Sequence, residues 1–164
     1  TIYYEIVGWD SVGGTIMEKQ NLSKIKDKSL LNSNWGKVMT YSYGLPENQN
    51  DVYVYRITMT SDDGTITELN WYQVEQRCRE LGLKTVPFLQ RWMETDVAVI
   101  ENVVEDYMDN RSSTLDGRHL TEGTVIRIAN AGGMKVYKAK NFTSKVLEGI
   151  LKESEDFVDT EEIN

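Results

Sequence analysis

The sequence predicts an α+β fold, antiparallel β-sheets with flanking helices, on three grounds. Residues 1–8, 51–60, 65–69 and 123–140 alternate in side-chain type or concentrate β-branched and aromatic residues, as strands do. Ser61-Asp62-Asp63-Gly64 and the glycine-containing run Asn130 to Gly133 each join two such stretches by a short turn, which makes the joined strands antiparallel. Helical spacing is confined to segments between these strands and after the last of them.

Thr1 to Gly8, TIYYEIVG, reads as the first strand, and Glu5 stands there among apolar neighbours that leave its carboxylate in need of a cation or a ligand hydroxyl. Gly13-Gly14 marks a turn. Lys19 to Asn34 is polar and lysine-rich and is expected as a surface loop or short helix. Asp51 to Thr60, DVYVYRITMT, alternates with Tyr53, Tyr55 and Ile57 on one face and Val54, Arg56 and Thr58 on the other. Asn70 is placed to cap a helix from Trp71 to Leu81 that Gly82 ends, with Cys78 as a small packed side chain. After an extended piece from Thr85 to Leu89, Thr95 to Tyr107 is helical, with Val97, Ile100, Val104 and Tyr107 as its stripe. Asn110 to Leu120 is expected as a mobile polar loop that carries His119. Phe142 to Leu151 is expected as a helix packed behind the last hairpin.

Chemistry concentrates in that hairpin, residues 121–140, TEGTVIRIANAGGMKVYKAK. Side chains two apart on a strand share a face, so Lys138 and Lys140 point the same way, roughly 7 Å apart at the root, together with Met134 and Val136. Neighbouring ammonium groups repel unless an anion lies between them, and phosphate is the common biological answer. Glu122, at the start of the partner strand, adds a carboxylate able to hold a divalent ion beside that phosphate. A lone Lys-x-Lys more often just ends an exposed strand; the carboxylate and the hairpin around it favour the phosphate.

Composition narrows the remaining classes. With 40% hydrophobic and 27% charged residues over 164 positions, the chain suits one soluble, core-forming domain rather than a disordered segment. No apolar run is long enough to span a membrane, so a cytoplasmic setting is expected. A single cysteine and a single histidine are too few for a zinc cage, and any metal should be a hard ion held by oxygen. The net charge of -8 is uneven: six acids and no base fall in residues 153–164, expected as an acidic tail, and the body, residues 1–152, is nearly neutral.

Taken in order, YYEIVG, DVYVYRIT, LGLKTVPFL, TEGTVIRI and KVYKAKN resemble motifs III, IIIa, IV and V of the covalent nucleotidyltransferase superfamily, specifically its phage-type ATP-dependent RNA-repair ligases. The resemblance implies a partial nucleotidyltransferase (ATP-grasp-like) adenylation domain. In such ligases a lysine attacks the α-phosphate of ATP, the AMP passes to the 5′-phosphate of an RNA, and a 3′-hydroxyl displaces it to seal the strand. The implied cofactors are ATP, giving AMP, with Mg2+ or Mn2+. The implied partner is RNA with 5′-phosphate and 3′-hydroxyl ends. Carried over by position, Glu5 and Glu122 resemble the glutamates near the ribose and metal, Tyr55 the aromatic that stacks on adenine, Arg127 the basic residue closing motif IV, and Lys138 and Lys140 the pair on the α-phosphate.

The departures are as specific. Asp116-Gly117 resembles the end of the Lys-x-Asp-Gly nucleophile motif, but Thr114 stands where its lysine belongs. That motif is expected ahead of Thr1, in a segment supplied separately or removed, and the isolated chain is then expected to be inactive. Arg56 replaces an acidic residue that often follows the stacking aromatic. Two other readings stay open: a non-catalytic nucleotide- or partner-binding remnant of the same fold, and a ligase acting on DNA or a cap-like nucleotide. For the residues themselves the structural alternatives are core filling for Tyr55, a neighbouring cation for Glu5 and a solvated strand position for Arg127.

Overall fold

A computed structural model of the chain describes residues 1–93, 96–108, 112–130, 133–151 and 160–163. The first strand, β1 (Ile2–Gly8), is followed by two short strands, β2 (Gln20–Asn21) and β3 (Val38–Met39), which pair with each other antiparallel. The stretch between them departs from expectation. It winds through three 3-10 turns, each opened by an Asx side chain, Asn21, Asp27 or Asn32, that accepts a hydrogen bond from the backbone N–H two residues on. These polar side chains satisfy the backbone locally and leave the apolar ones free to turn inward. Leu22, Ile25, Trp35, Met39 and Tyr41 accordingly form the larger buried cluster, with Leu120 and Leu147. A segment whose composition reads as surface therefore carries much of the core.

β4 (Asn50–Thr60) is the central strand. β1 and β5 (Ile66–Glu68) pair with it antiparallel, and β6 (Lys84–Thr85) adds in parallel after α1 (Trp71–Leu81). Asn70 and Gln73 cap the start of α1 reciprocally, and Gly82, at φ 67°, ends it in the left-handed conformation that glycine adopts without steric cost. Val74 and Cys78 of α1 pack on Val54, Ile57 and Leu69.

Val54 and Ile57 share this cluster because β4 does not alternate cleanly. Tyr3 faces Arg56 and Tyr4 faces Val54, so Tyr55 is an extra residue, a β-bulge. The bulge shifts the period by one and corrects the expected faces: Arg56 joins Tyr55 over Tyr3, with its guanidinium 4.8 Å from the Tyr3 ring, instead of joining Val54. Arg56 also grips Glu68 through Nε and Nη2, at 2.7–3.0 Å.

The helix expected from Thr95 is α2 (Val97–Met108); residue 95 itself lies outside the described residues. The polar stretch ending at Leu120 is anchored rather than loose where it is described. Trp35 Nε1 donates to Ser112 Oγ at 2.9 Å, and His119 and Leu120 are buried. The last hairpin is β7 (Gly123–Asn130) with β8 (Gly133–Lys140), paired antiparallel as expected; residues 131 and 132 of its turn lie outside the described residues. α3 (Phe142–Leu147) is shorter than predicted, because the chain turns at Glu148 and Gly149, where φ is 75°. β9 (Thr160–Ile163), in the stretch expected as an acidic tail, pairs with β8; residues 152–159 and 164 lie outside the described residues. The fold is thus α+β with antiparallel sheets, as the sequence predicts. No described helix is long and apolar enough to cross a membrane.

Gly123 fixes how closely the two hairpin strands approach. A Cβ there would lie 1.9 Å from the Ala139 carbonyl oxygen and 2.8 Å from Lys140 Cα, both backbone atoms that cannot yield. Gly123→Ala is expected to lower stability by about 3 kcal/mol, read as a fall in the urea midpoint at unchanged slope.

Candidate functional site

Lys138 lies opposite Val125, Lys140 opposite Gly123 and Arg127 opposite Val136. Directly paired residues share a face, so Arg127 joins Lys138 and Lys140 on one side of the hairpin, with Met134 and Val136 as predicted. Lys140 is already paired. Its Nζ lies 2.6 Å from Glu148 Oε2 and 3.8 Å from Glu122 Oε2, and its side chain is 22% exposed. Glu148, delivered by the turn after α3, is a partner that the sequence did not disclose. Lys138, opposite Glu161 of β9 in the strand register, is partly exposed on the same face.

Asn141 holds the base of the hairpin together. Its backbone N–H donates to the Glu122 carbonyl at 2.8 Å, its Nδ2 donates to the Thr121 carbonyl, and its Oδ1 caps α3 by accepting from the Ser144 N–H at 2.7 Å. One buried asparagine thereby fixes Glu122 relative to Lys140. The N-cap preference of asparagine before a helix was the available signal for it.

Three rings pack together. Tyr43 meets His119 edge-on at 4.5 Å, and Tyr41 meets it at 4.9 Å. The His119 ring is buried, with Nδ1 3.0 Å from the Leu120 carbonyl and Nε2 3.5 Å from Asp116 Oδ1. Burial first, then the charges of Glu122, Glu5 and Asp116, raise the Tyr43 phenol well above its ordinary value. Burial, then Glu122, Tyr43 and Glu148, do the same for Tyr41. The two glutamates singled out in the sequence, Glu5 on β1 and Glu122 at the hairpin base, thus act on one tyrosine. Neither tyrosine nor His119 was recognised as part of a site, because their packing partners are distant in sequence.

Tyr55 is half-buried on the bulge, its ring 6.4 Å from that of Tyr3. Its carbonyl accepts a hydrogen bond from Arg127 Nη2. The Arg127 guanidinium also lies 5.5 Å from the centre of the Trp71 ring, and its Nη1 approaches Met134 Sδ at 3.8 Å. Burial pulls this guanidinium below its usual range. The cation expected to serve a ligand is therefore spent largely within the protein, where it ties the hairpin to the central strand.

Among the described residues no three acidic, histidine or cysteine side chains cluster as ligands.

The family model described as RNA ligase matches residues 18–140, three quarters of the chain, and spans the central strand, α1 and the hairpin up to Lys140. No curated protein and no solved structure matches the chain significantly.

The raised phenols have a measurable consequence. A group whose pKa is higher in the folded than in the unfolded state contributes stability below its unfolded value, about 10 for tyrosine, and loses it as pH rises toward the folded value. Stability should therefore fall above about pH 10, and the fall should be shallower in Tyr41→Phe and Tyr43→Phe, as measured by urea unfolding across pH 9–11.

Proposed function

The chain belongs to the RNA ligase family, and from that membership we propose that it is the nucleotide-binding part, motifs III to V, of an ATP-dependent ligase joining RNA 5′-phosphate to 3′-hydroxyl ends. The observation that carries the reading is the placement of Lys138 and Lys140 on one hairpin face with Glu122 at its base, 3.8 Å from Lys140 Nζ. Lys138 and Lys140 bind the α-phosphate, where Lys140 exchanges its pairing with Glu148 for the phosphate oxygens. This exchange keeps the ammonium compensated before the nucleotide arrives. Tyr55 stacks on the adenine base. Glu5 and Glu122 hold Mg2+ or Mn2+, which when bound neutralises charge on the phosphate oxygens.

The reaction needs a nucleophilic lysine to take AMP from ATP with release of pyrophosphate. The AMP then passes to an RNA 5′-phosphate, and a 3′-hydroxyl expels it as the new phosphodiester forms. No lysine of these 164 residues stands in a Lys-x-Asp-Gly context, so the adenylated lysine is assigned to a segment beyond them. On that assignment the isolated chain binds nucleotide without forming the lysine–AMP bond.

Two measurements test the reading. The protein together with its lysine-bearing segment should become labelled by α-32P-ATP and seal nicked RNA. Lys138→Ala and Lys140→Ala should each reduce labelling at least a hundredfold, in the range found on removing groups that stabilise charge in the transition state. Absence of labelling in the complete protein would leave a non-catalytic binding module as the better reading. Faster sealing of nicked DNA than of nicked RNA would reassign the substrate.

A further inference from the structure

The bulge at Tyr55 and the contacts of Arg127 point beyond a phosphate-binding role for this arginine. A bulge takes a backbone segment out of the strand ladder, and a buried carbonyl displaced in this way needs another donor. Arg127 supplies it from across the fold through Nη2, which donates to the Tyr55 carbonyl. The arginine is held in turn. Its guanidinium lies over Trp71, and Trp71 stacks on Phe88 at 6.3 Å with the ring planes 14° apart. Trp71 is the first residue of α1, placed there by the Asn70–Gln73 capping box. The result is a continuous chain of contacts, Phe88, Trp71, Arg127, Tyr55 carbonyl, that ends at the residue skipped by β1 between the paired positions Val54 and Arg56.

Arginine suits this position better than lysine would. Its flat guanidinium covers an indole face while its edge still donates hydrogen bonds, whereas an ammonium is a strongly hydrated point charge. With Nη2 on the carbonyl and Nη1 against Met134 Sδ, both terminal nitrogens are engaged inside the protein.

We propose that Arg127 and Trp71 are positioning residues that lock the bulge and thereby set the Tyr55 ring for stacking on the nucleotide base, with no contact of their own to the phosphates. The inference rests on the nucleotide reading given above and deepens it, because it makes base recognition depend on the docking of the hairpin against the central sheet. Hairpin and ring then form a single unit: whatever displaces the hairpin also turns the ring.

The test compares two ligands, ATP and inorganic tripolyphosphate, by isothermal titration with the intact protein in the presence of magnesium. A positioning role weakens the ligand that has a base and spares the one without. Arg127→Ala should weaken ATP binding roughly tenfold, the scale of one lost base–aromatic stack, and change tripolyphosphate binding by less than about twofold. Arg127→Lys should recover part of the loss. In a Tyr55→Ala background, Arg127→Ala should cost ATP nothing further, because its effect runs through that ring. Equal weakening of both ligands, or additive losses in the double variant, would overturn the proposal and return Arg127 to the phosphates. Should Arg127→Ala fail to fold by circular dichroism, Trp71→Leu removes the flank alone and is judged by the same ratio of affinities. Failure of the unaltered protein to bind ATP would instead overturn the nucleotide reading beneath it.

Discussion

The bond from Arg127 to the Tyr55 carbonyl is the contact on which the architecture of the candidate site depends. It joins the hairpin of β7 and β8 to the sheet built on β4. A guanidinium can serve there because it is the cation least costly to strip of water and offers several donors in one plane. Its partial burial, with Trp71 on one side and Met134 on another, keeps it from returning to solvent. This bridge ties the hairpin that carries Lys138 and Lys140 to the strand that carries Tyr55.

Charge is balanced locally at Lys140 and at Arg56. Lys140 is neutralised by Glu148 at 2.6 Å and flanked by Glu122, and Arg56 is held by Glu68. Opposite charges that are only partly exposed attract more strongly than the same pairs in water, so each pairing keeps its cation in place. An anionic ligand approaching Lys140 therefore meets a group already oriented, and has to displace Glu148 rather than bring a free side chain to order. Glu122 is set beside Lys140 by Asn141, which draws the ends of both hairpin strands together while it caps α3.

The floor of the site comes from a segment whose composition conceals its role. Asn21, Asp27 and Asn32 each close a 3-10 turn with their own side chains, so polar residues serve the backbone and Leu22, Ile25 and Trp35 turn into the core. That core carries Tyr41, and Tyr43 and His119 pack beside it. Composition averages over such a stretch and reports its polar majority. The decisive information is which few residues point inward.

By itself the sequence determined β1, β4, β5, the hairpin of β7 and β8, the capped helix α1 and the shared face of Lys138 and Lys140, because strand alternation, capping and turn chemistry act over a few residues and leave their mark on neighbouring positions. The motif order from YYEIVG to KVYKAKN likewise pointed to the RNA ligase family, to which the match over residues 18–140 assigns the chain. Tertiary structure alone decided the bulge at Tyr55 and the new face of Arg56, the pairing of Lys140 with Glu148, the destination of Arg127 and the packing of Tyr41 and Tyr43 on His119. Most of these join residues dozens of positions apart through packing and desolvation, forces that depend on distance in space and leave no period in the chain.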